Sequence, residues 1–179
     1  MSYKVAIVTG AAAGIGAACA KRLASEGVAV GVLDLDEARC AETVEAIKAA
    51  GGTAIALGAD VSNRASASAA VEKCREALGP ITIMVNNAGV TDFTKFEDLT
   101  DERWDLVYAI NVRGPMIMTQ LVLEDMKAAA WGRIVNISSS SAQTGAVNMV
   151  CYSSSKGAVV TMTRSMAQEF GPYGITVNN

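Results

Sequence analysis

Four residues of this sequence could together carry out proton chemistry: Asn111, Ser139, Tyr152 and Lys156. Tyr152 and Lys156 stand four residues apart, so in a helix they share one face, with a phenol beside an ammonium. A free phenol is almost fully protonated at neutral pH, and a nearby cation favours the phenolate form. The pair could therefore exchange a proton with a substrate.

Ser139 belongs to an unbroken serine run at residues 138–141, directly after a predicted strand. Ligand crevices form at the carboxyl ends of parallel strands, so this hydroxyl could hold a substrate carbonyl oxygen. The run alone does not distinguish one serine from another. Residues 91–93, 141–143 and 148–149 are expected to line the substrate pocket, with Ser139, Ser141, Gln143 and Tyr152 in contact with the substrate.

Asn111 is singled out by Pro115, which follows it by four residues. Proline has no backbone N–H, so the Asn111 carbonyl loses its helical partner and the turn opens. A water there, beside Lys156, would begin a proton path to solvent. A simple kink, or a new helix beginning at Pro115, explains the proline equally well.

The composition excludes several other chemistries. The sequence has no histidine, which excludes Ser-His-Asp and Cys-His catalysis and histidine-ligated metal sites. Its four cysteines lie far apart without a Cys-x-x-Cys pair, so we expect buried free thiols in a reducing cytoplasm and no metal site.

The bulk properties predict one globular domain over residues 1–179. The net charge is -3 and the basic residues are scattered, which gives no support for nucleic-acid binding. The apolar runs are short and interrupted, and the N-terminus has no signal-peptide pattern, so we expect a cytoplasmic protein without a membrane partner.

Strand and helix patterns alternate along the chain. Strand patterns cover residues 4–9, 28–33, 53–57, 81–85, 133–137 and 175–177. Helix patterns cover residues 17–26, 36–50, 62–78, 100–126 and 152–170, with Asp36 and either Ser62 or Asn63 as caps. This alternation predicts an α/β fold, a doubly wound parallel sheet with helices on both faces.

A glycine loop joins the first strand to the first helix. It reads Thr-Gly-Ala-Ala-Ala-Gly-Ile-Gly over residues 9–16, so its amides can face a diphosphate at a helix N-terminus. The glycine spacing is wider than Gly-x-Gly-x-x-Gly, and no Lys-Ser/Thr follows, which argues against a P-loop NTPase. A turn that only reverses the chain is the structural alternative.

Asp34 ends the second strand, where a carboxylate accepts the ribose hydroxyls of a dinucleotide. Its charge would repel a 2′-phosphate, and residues 11–13 and 35 include no Lys or Arg, so NAD is favoured over NADP. Arg39 keeps NADP possible. A methyltransferase that binds S-adenosylmethionine would place similar features here.

Together these residues resemble the short-chain dehydrogenase/reductase family, including its 3-oxoacyl-(acyl-carrier-protein) reductases, over essentially the whole chain. The resemblance implies a Rossmann-type fold and a catalytic tetrad of Asn111, Ser139, Tyr152 and Lys156. It also implies a set of residues that contact the cofactor: Thr9, Gly10, Gly14, Ile15 and Gly16 at the diphosphate, Asp34 at the ribose, Asp60 and Val61 at the adenine, Asn87, Ala88 and Gly89 in the Asn-Asn-Ala-Gly segment, and Tyr152 and Lys156.

The implied reaction is hydride transfer between nicotinamide and an alcohol or ketone. Tyr152 would exchange the proton, Ser139 would orient the substrate oxygen, Lys156 would bind the nicotinamide ribose, and Asn111 would hold the relay water. An NADPH-dependent 3-oxoacyl-thioester reductase and a non-catalytic dinucleotide-binding regulatory protein are the alternatives.

Members of this family continue well beyond the position of Asn178. The missing parts are a turn at the cofactor, a substrate lid and a final strand. The resemblance therefore implies a chain truncated before the lid and last strand, and a homodimer or homotetramer at full length.

Overall fold

Six parallel strands form the centre of the molecule in the computed structural model, which describes residues 4–179. They are Val5–Thr9 (β1), Ala29–Asp34 (β2), Ala54–Gly58 (β3), Ile83–Asn86 (β4), Gly132–Asn136 (β5) and Ile175–Asn178 (β6). Their order across the sheet is β3-β2-β1-β4-β5-β6. The chain moves outward from β1 through β2 to β3 and returns to pair β4 with the other side of β1.

The helices cover both faces of this sheet. Those of residues 4–179 are Gly14–Ser25 (α1), Ala41–Ala49 (α2), Arg64–Leu78 (α3), Asp101–Tyr108 (α4), Gly114–Ala128 (α5), Ser141–Thr144 (α6) and Val150–Phe170 (α7). One core packs α1 and α2 on Ala6 and Val8 of β1, and the other packs α3 and α5 on Val5 and Ile7. This arrangement confirms the predicted doubly wound parallel sheet with helices on both faces.

Side-chain caps begin two helices, α3 at the predicted residue Asn63 and α4 at Thr100. Asn63 accepts a hydrogen bond from the Ser66 amide and begins α3, and Thr100 does the same for Arg103 and α4. Asp36 caps the 3-10 turn before α2 by accepting from the Arg39 amide at 3.1 Å. Two predicted starts were wrong. Helix α1 begins at Gly14 and not at residue 17, because the last glycines of the loop form its first helical turn, and α2 begins at Ala41, after the 3-10 turn Ala38–Cys40, and not directly after Asp36. Helix α7 begins at Val150, close to its predicted start at about Tyr152.

The helix predicted over residues 100–126 is divided into three parts. Helix α4 ends at Tyr108, a π-turn covers Ala109–Arg113, and α5 begins at Gly114. The amide of Gly114 donates to the carbonyl of Ala109, which is the wider spacing of a π-helix. Pro115 cannot supply the next amide of a regular ladder, so the single continuous helix was a wrong prediction.

The stretch Asp101–Ala128 is long and apolar enough, by length and composition, to cross a membrane. The sequence, with its short and interrupted apolar runs, did not predict this stretch. Four of its side chains, Ile117, Met118, Val122 and Met126, lie in the core against the sheet, and this burial accounts for much of its apolar character.

Candidate functional site

The carboxyl ends of β1, β2 and β4 meet around a cavity of about 420 Å³. Its walls come from the glycine loop, the end of β2, the loops after β3 and β4, and the π-turn. The lining residues are Gly10, Ala12, Ala13, Leu33, Asp34, Leu35, Arg39, Ala59, Asp60, Val61, Asn87, Ala88, Gly89, Val90 and Ile110. The cavity lies where the strand order reverses, which is where ligands bind in such sheets.

Thr9 ties the glycine loop to the segment after β4. Its buried hydroxyl accepts hydrogen bonds from the amides of Asn87 and Ala88, both at 3.0 Å. In turn, the Asn87 side-chain amide donates hydrogen bonds to the carbonyls of Thr9 and Gly10 at 2.9 and 3.1 Å. Thr9 and Asn87 therefore brace the cavity floor, although Thr9 itself does not line the cavity.

The first turn of α1 is open to an anion. Its N-cap is Ala13, which has no capping side chain, and the first turn has no acidic residue. Gly16 packs so closely that an added Cβ would lie 2.6 Å from the Asn87 side-chain nitrogen. Only glycine lets this turn approach the β4 segment. Gly14, Ile15 and Gly16 form the turn without lining the cavity.

Asp34 is already bound by several donors. Its Oδ1 accepts from the Leu35 amide at 2.9 Å and forms an ion pair with Arg39 Nε at 2.8 Å. Its Oδ2 accepts from the Ala12 amide at 3.3 Å. Asp34 thus organises the glycine loop, and Arg39, which is half exposed, lines the cavity beside it.

Asp60 and Val61 form the wall after β3. The Asp60 carboxylate accepts from the amide and the hydroxyl of Ser62 at 2.8 and 2.7 Å. Val61 is buried and packs beside Gly114. A Cβ added to Gly114 would lie 2.9 Å from Val61 Cγ2. Both residues line the cavity.

Lys156 is a buried ammonium, with 5% of its surface exposed. Its Nζ donates to the Ile137 carbonyl at 2.7 Å and lies 5.8 Å from the centre of the Tyr152 ring. Burial lowers the pKa of Lys156 because the charged form loses water. The ammonium therefore lies one helical turn from Tyr152 and near its ring.

Gly89 separates Lys156 from Asn111. A Cβ on Gly89 would lie 3.1 Å from Asn111 Oδ1 and 3.4 Å from Lys156 Nζ. The amide and the ammonium therefore face the same small space at the cavity rim. Any side chain at position 89 would enter it.

The Asn111 side chain forms hydrogen bonds with backbone and with a serine, and among residues 4–179 none joins it to the side chain of Tyr152 or Lys156. Its Oδ1 accepts from the Val90 amide at 2.9 Å, and its Nδ2 donates to the Val90 carbonyl and to Ser155 Oγ, both at 3.0 Å. Asn111 lies inside the π-turn, where the main chain is opened beside Pro115.

Ser139 lies at the mouth of a second cavity, of about 410 Å³, together with Ser138, Ser140, Gln143 and Val160. Its Oγ accepts from the amide and the hydroxyl of Ser141 at 3.2 and 3.0 Å. Tyr152, Ser139, Ser141 and Gln143 do not line the first cavity. Of these four predicted substrate residues, Ser139 and Gln143 line the second cavity.

Sequence reasoning missed part of the cavity wall. Leu33, Ala59, Val90 and Ile110 are apolar and carry no chemical signature, although each adjoins a residue that was predicted. Sequence reasoning placed residues 91–93 at the substrate pocket but missed that Asp92 is buried and pairs with Arg103 at 2.6 Å in the loop after β4.

All four cysteines are free thiols. Cys40, Cys74 and Cys151 are buried and free, as predicted, whereas Cys19 is half-buried. Burial raises the pKa of Cys40 and of Cys151, and raises that of Cys74 to about 12. Among residues 4–179 no cluster of acidic and thiol side chains suited to a metal ion is found.

Comparison with known proteins points to one family. A family model described as short chain dehydrogenase matches residues 4–179. The chain is 42% identical over 174 residues to a short-chain reductase of Streptomyces niveus, a match that covers 97% of this chain and 66% of the relative. It is 36% identical over 177 residues to an NAD-dependent glycerol dehydrogenase of Listeria innocua, covering 98% and 68%.

A solved structure is similar throughout. It is assigned to the short-chain alcohol dehydrogenases of Sinorhizobium meliloti, with a TM-score of 0.95 and 33% identity. The match covers 99% of this chain and 71% of that chain. The chain thus spans 66 to 71% of the length of these three proteins.

Proposed function

The chain belongs to the short-chain dehydrogenase family of oxidoreductases, and we propose that it transfers a hydride between NAD(H) and a small alcohol or ketone. The observation that carries this proposal is the buried Lys156 ammonium, one helical turn after Tyr152 and beside Gly89 at the cavity rim. Lysine side chains are almost never fully buried unless they are paired, so the buried ammonium of Lys156 supports a functional role.

The residues present fit a nicotinamide dinucleotide. The uncapped turn of α1 suits the diphosphate, Asp34 suits ribose hydroxyls, and Asp60 with Val61 suits the adenine. The Asn87 to Gly89 segment and Lys156 would hold the nicotinamide half. When bound, the nicotinamide supplies or accepts the hydride.

The protein's own residues would handle the substrate oxygen and its proton. The Tyr152 hydroxyl would donate a proton to the oxygen during ketone reduction and accept it during alcohol oxidation. The Ser139 hydroxyl would hold that oxygen, and Ser141 would fix the Ser139 rotamer through its two hydrogen bonds. Lys156 would favour the phenolate, and a water held at the opened main chain of Asn111 would pass the proton towards solvent.

NAD is the preferred cofactor in this proposal because Asp34 ends β2 and its carboxylate disfavours a 2′-phosphate. A second candidate has support from one observation. Arg39 already pairs with Asp34 and lines the cavity, so it could turn to a 2′-phosphate and permit NADP-dependent reduction, as in a 3-oxoacyl-thioester reductase.

We further propose a cytoplasmic homodimer or homotetramer built on this single dinucleotide-binding domain. Exposed apolar side chains support a contact with a second subunit, among them Leu106 on α4 and Phe93 and Phe96 after β4. The proposal includes no nucleic-acid or membrane partner.

A panel of alcohols and ketones, assayed on the full chain with NAD, NADH, NADP and NADPH by nicotinamide absorbance, tests the function. We expect turnover with several substrates and a higher kcat/KM with the NAD pair. Higher kcat/KM with the NADP pair would favour the Arg39 candidate. No cofactor-dependent change with any substrate would contradict the proposal and favour a regulatory binding protein.

A further inference from the structure

Ser155 lies between Tyr152 and Lys156 in α7 and is fully buried. Its hydroxyl donates to the Tyr152 carbonyl at 2.7 Å and accepts from Asn111 Nδ2 at 3.0 Å. The first bond is local and common for a helical serine, whose hydroxyl reaches the carbonyl of the preceding turn. The second joins α7 to the π-turn, and no local preference accounts for it.

The other contacts of Asn111 give this second bond its importance. A primary amide has two N–H donors, and here one binds the Val90 carbonyl and the other binds Ser155. The side chain of Asn111 therefore connects three segments: the loop after β4, the π-turn and α7. Ser155 is the point where this connection meets the helix of Tyr152 and Lys156.

We propose that Ser155 is a positioning residue that fixes the π-turn, and with it the main chain of Asn111, relative to Tyr152 and Lys156. The inference rests on the proposed function, since the proton path begins at these groups. Without the Ser155 hydroxyl, one buried N–H of Asn111 has no acceptor, and folded proteins avoid this state by moving one of the groups. A displaced π-turn changes the space that Asn111 and Lys156 share beside Gly89.

Ser154 provides a matched control in the same helix. Its hydroxyl donates to the Cys151 carbonyl at 2.9 Å, the same local bond one residue earlier. Among residues 4–179 it has no hydrogen bond to another helix. Ser154→Ala therefore removes the local bond alone, whereas Ser155→Ala removes the local bond and the link to Asn111.

The test uses the full chain and two independent measurements. Hydrogen exchange of the Asn111 side-chain amide, followed by NMR, reports the bond without any activity. We expect protection in the wild type and in Ser154→Ala, and exchange about tenfold faster in Ser155→Ala. Equal exchange in the two variants would overturn the bond and the proposal.

The second measurement is kcat as a function of pH. We expect Ser155→Ala to lower kcat about tenfold, to leave the KM for NADH within about twofold, and to change the shape of the pH profile, because positioning is lost while binding remains. Ser154→Ala should stay within about twofold of the wild type at every pH. Equal kcat in the two variants would overturn the positioning role.

A double variant and a conservative variant complete the design. If Ser155 acts through Asn111, Ser155→Ala adds no loss to Asn111→Ala, whereas losses that multiply would overturn the proposal. If Ser155→Ala does not fold, Ser155→Cys keeps the volume, weakens the acceptor and is judged by the same criteria. Wild-type protein without turnover contradicts the proposed function, and the exchange measurement still decides the bond.

Discussion

At the scale of the residue, the decisive feature is the ammonium charge of Lys156, which is buried although burial disfavours the charged form. Lys156 is buried, has one carbonyl partner at Ile137, and has no carboxylate partner among residues 4–179. Removing an ammonium from water is unfavourable, so this position costs stability. The residue type and its spacing from Tyr152 could be predicted from sequence, but its depth and its partner could not, since both depend on β5.

Replacing this lysine should separate stability from activity. We expect Lys156→Met to abolish turnover and to raise the melting temperature at neutral pH, because a charge is no longer buried. The pKa of Lys156 is lowered in the folded protein, so its destabilising effect is present below that lowered value and disappears as the pH rises towards the ordinary value.

Thermal unfolding of both proteins between pH 7 and pH 11 measures this effect. The advantage of the methionine variant should decrease as the pH rises through the lowered pKa of Lys156. The exposed Lys48, which pairs weakly with Glu45, provides the control substitution Lys48→Met. A methionine variant at position 156 that is less stable at pH 7 would contradict this account.

At the scale of the element, two features hold the rim of the site: the π-turn before α5 and the loop between β4 and α4. The sequence predicts a disturbance at Pro115, because proline has no N–H, but not that the chain would accommodate it as a π-turn. Asp92 holds the loop by accepting from Arg103 at 2.6 Å and from Thr94 at 2.9 Å. Asp92 stabilises the loop because its carboxylate is buried against Arg103, and this burial could not be predicted from the sequence.

Breaking this pair should destabilise the protein. We expect Arg103→Gln to lower the free energy of unfolding by roughly 2–3 kcal/mol, less than for a fully buried pair, because the Arg103 side chain is about half exposed. Urea unfolding measures it. The exposed pair of Arg22 and Glu26 supplies the control Arg22→Gln, with an expected loss below about 1 kcal/mol.

The loss of unfolding free energy in Arg103→Gln should depend on pH. Burial raises the pKa of Asp92, but hydrogen bonds from Arg103 and Thr94 outweigh it and keep that pKa below its usual range. The stabilisation is therefore complete above the ordinary carboxyl value of about 3.9 and is lost as the pH falls through the lowered value. An Arg103→Gln loss that is equal at pH 7 and pH 2.5 would contradict this origin.

At the scale of the whole molecule, the reversal of strand order brings distant segments to one edge. Thr9 meets Asn87 there, and Asp34, Asn86 and Asn136 each end a strand. The alternation of apolar strands and helices predicted this topology, because buried parallel sheets require it. The exact contacts, such as Arg39 with Asp34 and Asn111 with Ser155, depend on side-chain geometry and needed the structure.

The central claim is that Tyr152 exchanges a proton with a substrate beside a bound nicotinamide, and Tyr152→Phe tests it most directly. The variant removes one hydroxyl and leaves the ring beside Lys156. We expect NADH binding, measured by fluorescence titration, within about twofold of the wild type, and kcat lower by about a hundredfold to ten-thousandfold. A variant that retains most of its turnover would contradict the claim.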